Sequence, residues 1–134
     1  MKTVFITFVS SLLLFSIHGL RDVMDDLSVG TEVCFSKLND SSAYIIDSND
    51  QKSYLEEGNP IINEFYKCVF EESGYIIHNS INFDVLKNAL LKNPGIIKED
   101  VYKAFKKCKS IRSDDLGDRI VKMLNCLAVH KALH

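Results

Sequence analysis

Four cysteines, Cys34, Cys68, Cys108 and Cys126, carry most of the reactive chemistry in this chain. An even set of thiols can hold a metal or form disulfides. Structural zinc sites draw their ligands from close pairs such as C-x2-C. Here 33, 39 and 17 residues separate successive cysteines. That spacing speaks against zinc and for two disulfides, in a chain that folds in an oxidising compartment. Four cysteines pair in three ways, and spacing alone does not choose among them. Once paired, they leave no thiol nucleophile.

The other reactive side chains are scattered. His78 falls between two helical patterns, where a histidine reads first as solvent-exposed and second as a pH switch. His130 and His134 are four residues apart, a metal-gripping spacing on a helix, yet no third ligand stands near them. Asp114-Asp115 has the look of a helix cap rather than an acid–base pair. Neither G-x-S-x-G nor H-E-x-x-H occurs. The glycine-rich calcium loop and His-Asp pair of a secreted phospholipase are also missing. No enzyme, metal or cofactor is therefore expected. Asn39-Asp40-Ser41 is an N-glycosylation sequon, which makes Asn39 a candidate acceptor.

The N-terminus does not belong with these residues. Lys2 precedes Val4–Ile17, an apolar run broken only by Thr7, Ser10, Ser11 and Ser16. A transmembrane helix needs ~20 such residues. The run fits the apolar core of a signal peptide, so residues 1–19 are expected to be a leader and 20–134 a secreted domain. Losing Lys2 leaves 15 basic against 18 acidic residues, a net charge of −3. Nucleic acid and anionic membrane reward the opposite sign. No second apolar run approaches spanning length, so membrane insertion is not expected.

Helical periodicity dominates the remainder. The first helix is expected over Arg21–Leu38, with Val23, Met24, Leu27, Thr31, Cys34 and Leu38 on one stripe and Asn39–Ser42 ending it. Tyr44-Ile45-Ile46 stays unassigned. A short second helix is expected over Asp50–Glu57, stopped by Gly58. Asn59-Pro60 is a strong start for the third, a cap followed by proline at the first helical position. It runs to Ser73, with Gly74 behind it. Tyr75–Ser80 reads as a loop. Asn82 caps a fourth helix, which Asn93-Pro94-Gly95 closes. Glu99 and Asp100 open a fifth, whose outer face is basic through Lys103, Lys106, Lys107 and Lys109. Ser113 and Asp114 cap a sixth, and Ala128–His134 either continue it or fold back. The expected fold is all-α, a compact bundle of about six short helices with two disulfides. Each disulfide contributes roughly 3–4 kcal/mol by loop closure, against a net stability of ~5–15 kcal/mol for such a domain.

This whole-chain pattern resembles the insect odorant-binding proteins, the pheromone- and general-odorant-binding family. Six-cysteine members carry their second cysteine four positions before the third, and their fifth nine before the sixth. Here Glu64 stands in the first of those positions and Gly117 in the second. Because these two cysteines bond to each other in the family, their joint loss strands no thiol, and the chain looks like a four-cysteine, minus-C member. The resemblance implies the pairs Cys34–Cys68 and Cys108–Cys126, and no covalent tie between helices three and six. It also implies a hydrophobic cavity for a small apolar ligand such as an odorant, pheromone or lipid. A membrane chemoreceptor or a second copy of the chain would be its macromolecular partners. Candidate pocket residues are Phe65, Val69, Phe83, Leu86, Leu90, Val101, Phe105, Ile120, Met123, Leu124 and Leu127, the large apolar side chains of helices three to six. The competing reading is a secreted, non-catalytic effector on the same scaffold.

Overall fold

The computed structural model describes residues 30–50, 52, 54–92 and 94–130. The expected leader over 1–19, the start of the first helix with Val23, Met24 and Leu27, and His134 lie outside them. Among the described residues the chain forms six helices and one small hairpin. Helix α1 covers residues 30–36. It is followed by α2 (Asp40–Asp50), α3 (Pro60–Glu72), β1 (Ile76–Ile77), β2 (Ser80–Ile81), α4 (Phe83–Leu91), α5 (Lys98–Cys108) and α6 (Leu116–Val129).

Helix α3 is the centre of the fold, and both of its ends follow from local chemistry. Pro60 occupies the first helical position and the Asn59 side chain accepts from the Ile61 amide at 3.0 Å. At the other end the chain turns through Gly74 at φ +81. That conformation costs glycine nothing sterically. It lets the Tyr75 amide donate to the Phe70 carbonyl at 2.9 Å and the Gly74 amide to Glu71 at 3.2 Å. The Phe70 and Tyr75 rings then meet edge to face, 5.6 Å between centroids. Paired backbone bonds with an apolar contact across them are the Schellman termination.

Three expectations need correction. Asn39 does not mark the end of ordered helix: its side chain accepts from the Ser42 amide at 2.8 Å and starts α2. The second helix therefore spans Asp40–Asp50, and Leu55–Asn59 has no helical structure. The expected loop over Tyr75–Ser80 contains the hairpin, with Ile76 opposite Ile81 and Ile77 opposite Ser80. His78 and Asn79 turn it at φ 51 and 58. Positive φ at both central residues is what matches a two-residue turn to strand twist, and His and Asn tolerate it better than most residues. Finally, α6 is capped one residue later than expected. The Asp115 carboxylate accepts from the Asp118 amide at 3.0 Å, while the Ser113 hydroxyl donates to Asp118 Oδ2 at 2.7 Å. Helix α4 does open at Asn82, whose side chain accepts from the Val85 amide.

The most extensive helix pair is α3 against α6. Gly117 lies at a close approach between them. A Cβ there would fall 2.4 Å from the Asn63 carbonyl oxygen and 2.7 Å from its carbon. Glycine thus lets α6 pack directly on the backbone of α3, a close approach between two helices that no disulfide ties to each other. The bridges Cys34–Cys68 and Cys108–Cys126 fasten α1 to α3 and α5 to α6.

Candidate ligand-binding site

The Cys34–Cys68 bridge and the side chains around it line a groove of about 400 Å³, open to solvent on one side. That volume falls within the ~300–1,000 Å³ typical of small-molecule sites. Helix α1 contributes Cys34, the turn after it Lys37 and Leu38, and α2 Ser42. Pro60, Ile61, Glu64, Phe65 and Cys68 come from the first three turns of α3. Their helical spacing puts Ile61, Phe65 and Cys68 on one stripe, so a single helix face supplies most of the wall. Phe65 is almost completely buried and is braced edge to face by Phe35 at 6.4 Å and Tyr66 at 5.3 Å. Lys37 reaches Glu72 at 3.8 Å.

Behind the groove lies the apolar core, which gathers side chains from all six helices and the hairpin. Of the eleven candidate pocket residues, Phe65 lines the groove and also belongs to this core. Val69, Leu86, Leu90, Val101 and Phe105 are buried within it, as are Ile120, Met123, Leu124 and Leu127 from α6. Phe83 packs against its edge, where it meets Phe105 at 6.5 Å and carries the Arg119 guanidinium over its ring at 5.4 Å. The structure thus brings all eleven to one continuous interior. Leu38, Ser42, Pro60, Ile61 and Glu64 were not among the candidates. Pro60 carries a capping signal, and Leu38 and Ser42 flank the apparent end of a helix. A groove between elements has no periodicity of its own to detect.

Of the five tyrosines, Tyr66 and Tyr75 point inward and Tyr44, Tyr54 and Tyr102 are exposed. His78 is exposed in the hairpin turn, and His130 follows the last turn of α6. Asn39 is exposed. Its Oδ1 accepts from the Ser42 amide and the Ser41 hydroxyl, so the amide nitrogen that would bear a glycan takes no part in the cap. Among the described residues no His, Cys, Asp or Glu side chains assemble in a group of three or more that could hold a metal.

Polar contacts secure the segment before α3 to α6. The Asn125 side chain accepts from the Leu55 amide and donates to the Leu55 carbonyl, both at 2.9 Å, and donates to Glu57 at 3.4 Å. From α2, the buried Asn49 accepts from the Glu56 amide at 2.7 Å. Close by, Lys122 lies 2.9 Å from Asp118. Hydrogen bonds from Lys122 and Ser113 hold the Asp118 carboxyl below the usual carboxylate range, against a smaller opposing effect of burial. The same contact with Asp118 raises the Lys122 ammonium.

The PBP/GOBP family model matches residues 21–130. The chain belongs to that family. It is a four-cysteine odorant-binding-type chain: two disulfides, an all-helical scaffold apart from the hairpin, and Glu64 and Gly117 in the positions of the missing pair. The family is one of binding proteins for small hydrophobic ligands rather than of enzymes. No described helix of this member is long and apolar enough to cross a membrane. No curated protein and no solved structure matches the chain.

Proposed function

We propose that this PBP/GOBP member is a secreted carrier that takes up small hydrophobic molecules, such as odorants, pheromones or other lipid-like semiochemicals, and releases them elsewhere. Its functional domain would be residues 20–134, after removal of the leader. The observation that carries this reading is the apolar groove beside Cys34–Cys68, continuous through Phe65 with the core. The eleven candidate residues would then serve as the interior against which a ligand packs.

Magnitudes say what such a carrier must do. Micromolar affinity corresponds to about 8 kcal/mol. Apolar burial contributes about 25 cal/mol per Å², so about 320 Å² of ligand surface must leave water before ordering costs are counted. The more of the ligand's apolar surface the groove wall covers, the closer binding comes to that figure, and flexible side chains such as Met123 in the adjoining interior adapt to irregular shapes.

The test is displacement of a fluorescent apolar probe from the oxidised mature chain by volatiles and fatty acids. The protein has no tryptophan, so the signal comes from the probe. Uptake at micromolar concentration supports the carrier. A folded, oxidised protein that takes up no probe overturns it.

A further inference from the structure

Glu64 is an exposed acid on the wall of an otherwise apolar groove, one turn before Cys68. None of the ion pairs among the described residues includes it. The other charge lining the groove, Lys37, is directed to Glu72. Ser42 adds a hydroxyl to the same lining. The groove thus offers an apolar bed, an uncommitted carboxylate and a neutral acceptor.

We infer that the preferred ligand of this groove is an amphiphile with an apolar chain and a protonated amine, held at its charged end by Glu64. The proposal rests on the carrier reading and narrows it to a ligand class. An alkylammonium group carries only donors, as a lysine head does, and Glu64 and Ser42 supply acceptors. Its chain lies along Ile61, Phe65 and the disulfide. A fatty acid of the same length meets the like charge of Glu64 and must draw Lys37 away from Glu72. A neutral alcohol gains the apolar contacts and can donate one hydrogen bond, but brings no charge to Glu64. Glu64 is therefore a specificity-determining residue, and its contribution stays modest because the site is open to water.

Probe displacement by octylamine, octanol and octanoate at pH 7 tests this, on the wild-type chain and on Glu64→Gln and Lys37→Met. The amine is fully protonated at that pH. In the wild type, octylamine should displace the probe about two- to fivefold more tightly than octanol, the ratio an exposed ion pair supports, with octanoate the weakest. Glu64→Gln should bring amine and alcohol to parity. Lys37→Met should preserve the amine preference. An amine preference that survives Glu64→Gln, or octanoate binding as tightly as octylamine, overturns the proposal and leaves the carrier reading standing. Failure of the wild type to take up any probe overturns both.

Discussion

Replacing Gly117 with alanine sets two opposing effects against each other. Alanine favours a helix over glycine by up to ~1 kcal/mol, so helix propensity alone predicts a more stable protein. The structure predicts the reverse. The added Cβ would lie 2.4 Å from the Asn63 carbonyl oxygen and 3.0 Å from the Asn63 Cβ. A carbon and an oxygen in ordinary contact sit about 1 Å farther apart than the first of these. The obstacle is backbone, which cannot swing aside as a long side chain does, so α3 and α6 must separate along their shared interface. Forced expansion of a packed core costs about 1–3 kcal/mol, and more where whole helices shift. Net destabilisation of about 2 kcal/mol follows after the propensity gain. A domain of about 100 residues loses roughly 4–8 °C in Tm per kcal/mol, so a fall of about 8–16 °C is expected. Calorimetry of the oxidised wild type and Gly117→Ala reads it directly. An unchanged or higher Tm would refute the close approach of α3 and α6.

Asn125→Ala removes a side chain that bonds both backbone groups of Leu55, and should cost about 1–3 kcal/mol and speed exchange of the Leu55 amide, measured by hydrogen exchange. Unchanged protection of that amide would count against the clamp. Asp118 titrates below its unfolded value of ~3.9, so its contribution is complete above that pH and is lost as pH falls through the lower folded value. Urea melts from pH 6 to 2.5 should therefore steepen below about pH 4 in the wild type more than in Asp118→Asn, and parallel curves would contradict this. Removing the second bridge with Cys108→Ser/Cys126→Ser should lower stability by about 3 kcal/mol in guanidinium melts. A loss under about 1 kcal/mol would mean that packing, not loop closure, holds α5 to α6.

The parts of the fold that were legible in the sequence are those whose signals are local. Asn59-Pro60 and Gly74 bracket α3 because a cap, a fixed φ and a left-handed turn depend on neighbouring residues only. Helix α2 was displaced because Asn39, Ser41 and Ser42 read equally well as the end of one helix or the start of the next. The side-chain bond to the Ser42 amide decides it. Two-residue strands are too short to show alternation, and a His-Asn turn lacks the glycine that announces most hairpins. The core was legible because burial follows helical periodicity. The groove was not, because Leu38, Ser42 and Ile61 come from a turn and two helices whose relative placement no local pattern encodes. Glu64 and Gly117 were identified as vacated positions. What replaced the missing bond, a glycine seated on the backbone of Asn63, became visible only in three dimensions.

The two bridges close separate rings that neither overlap nor interlock, one over residues 34–68 and the other over 108–126. Everything between, residues 69–107, lies outside both rings. That span contains the end of α3, the hairpin, α4 and nearly all of α5, together with Phe83, Leu86, Leu90, Val101 and Phe105 from the interior. A third bond between positions 64 and 117 would have bracketed this whole stretch. Without it, the stretch is anchored covalently only at its two ends, and its hold on the core is entirely non-covalent. The packing of Leu86, Leu90, Val101 and Phe105 against the interior, rather than any cross-link, therefore sets how firmly this stretch is held.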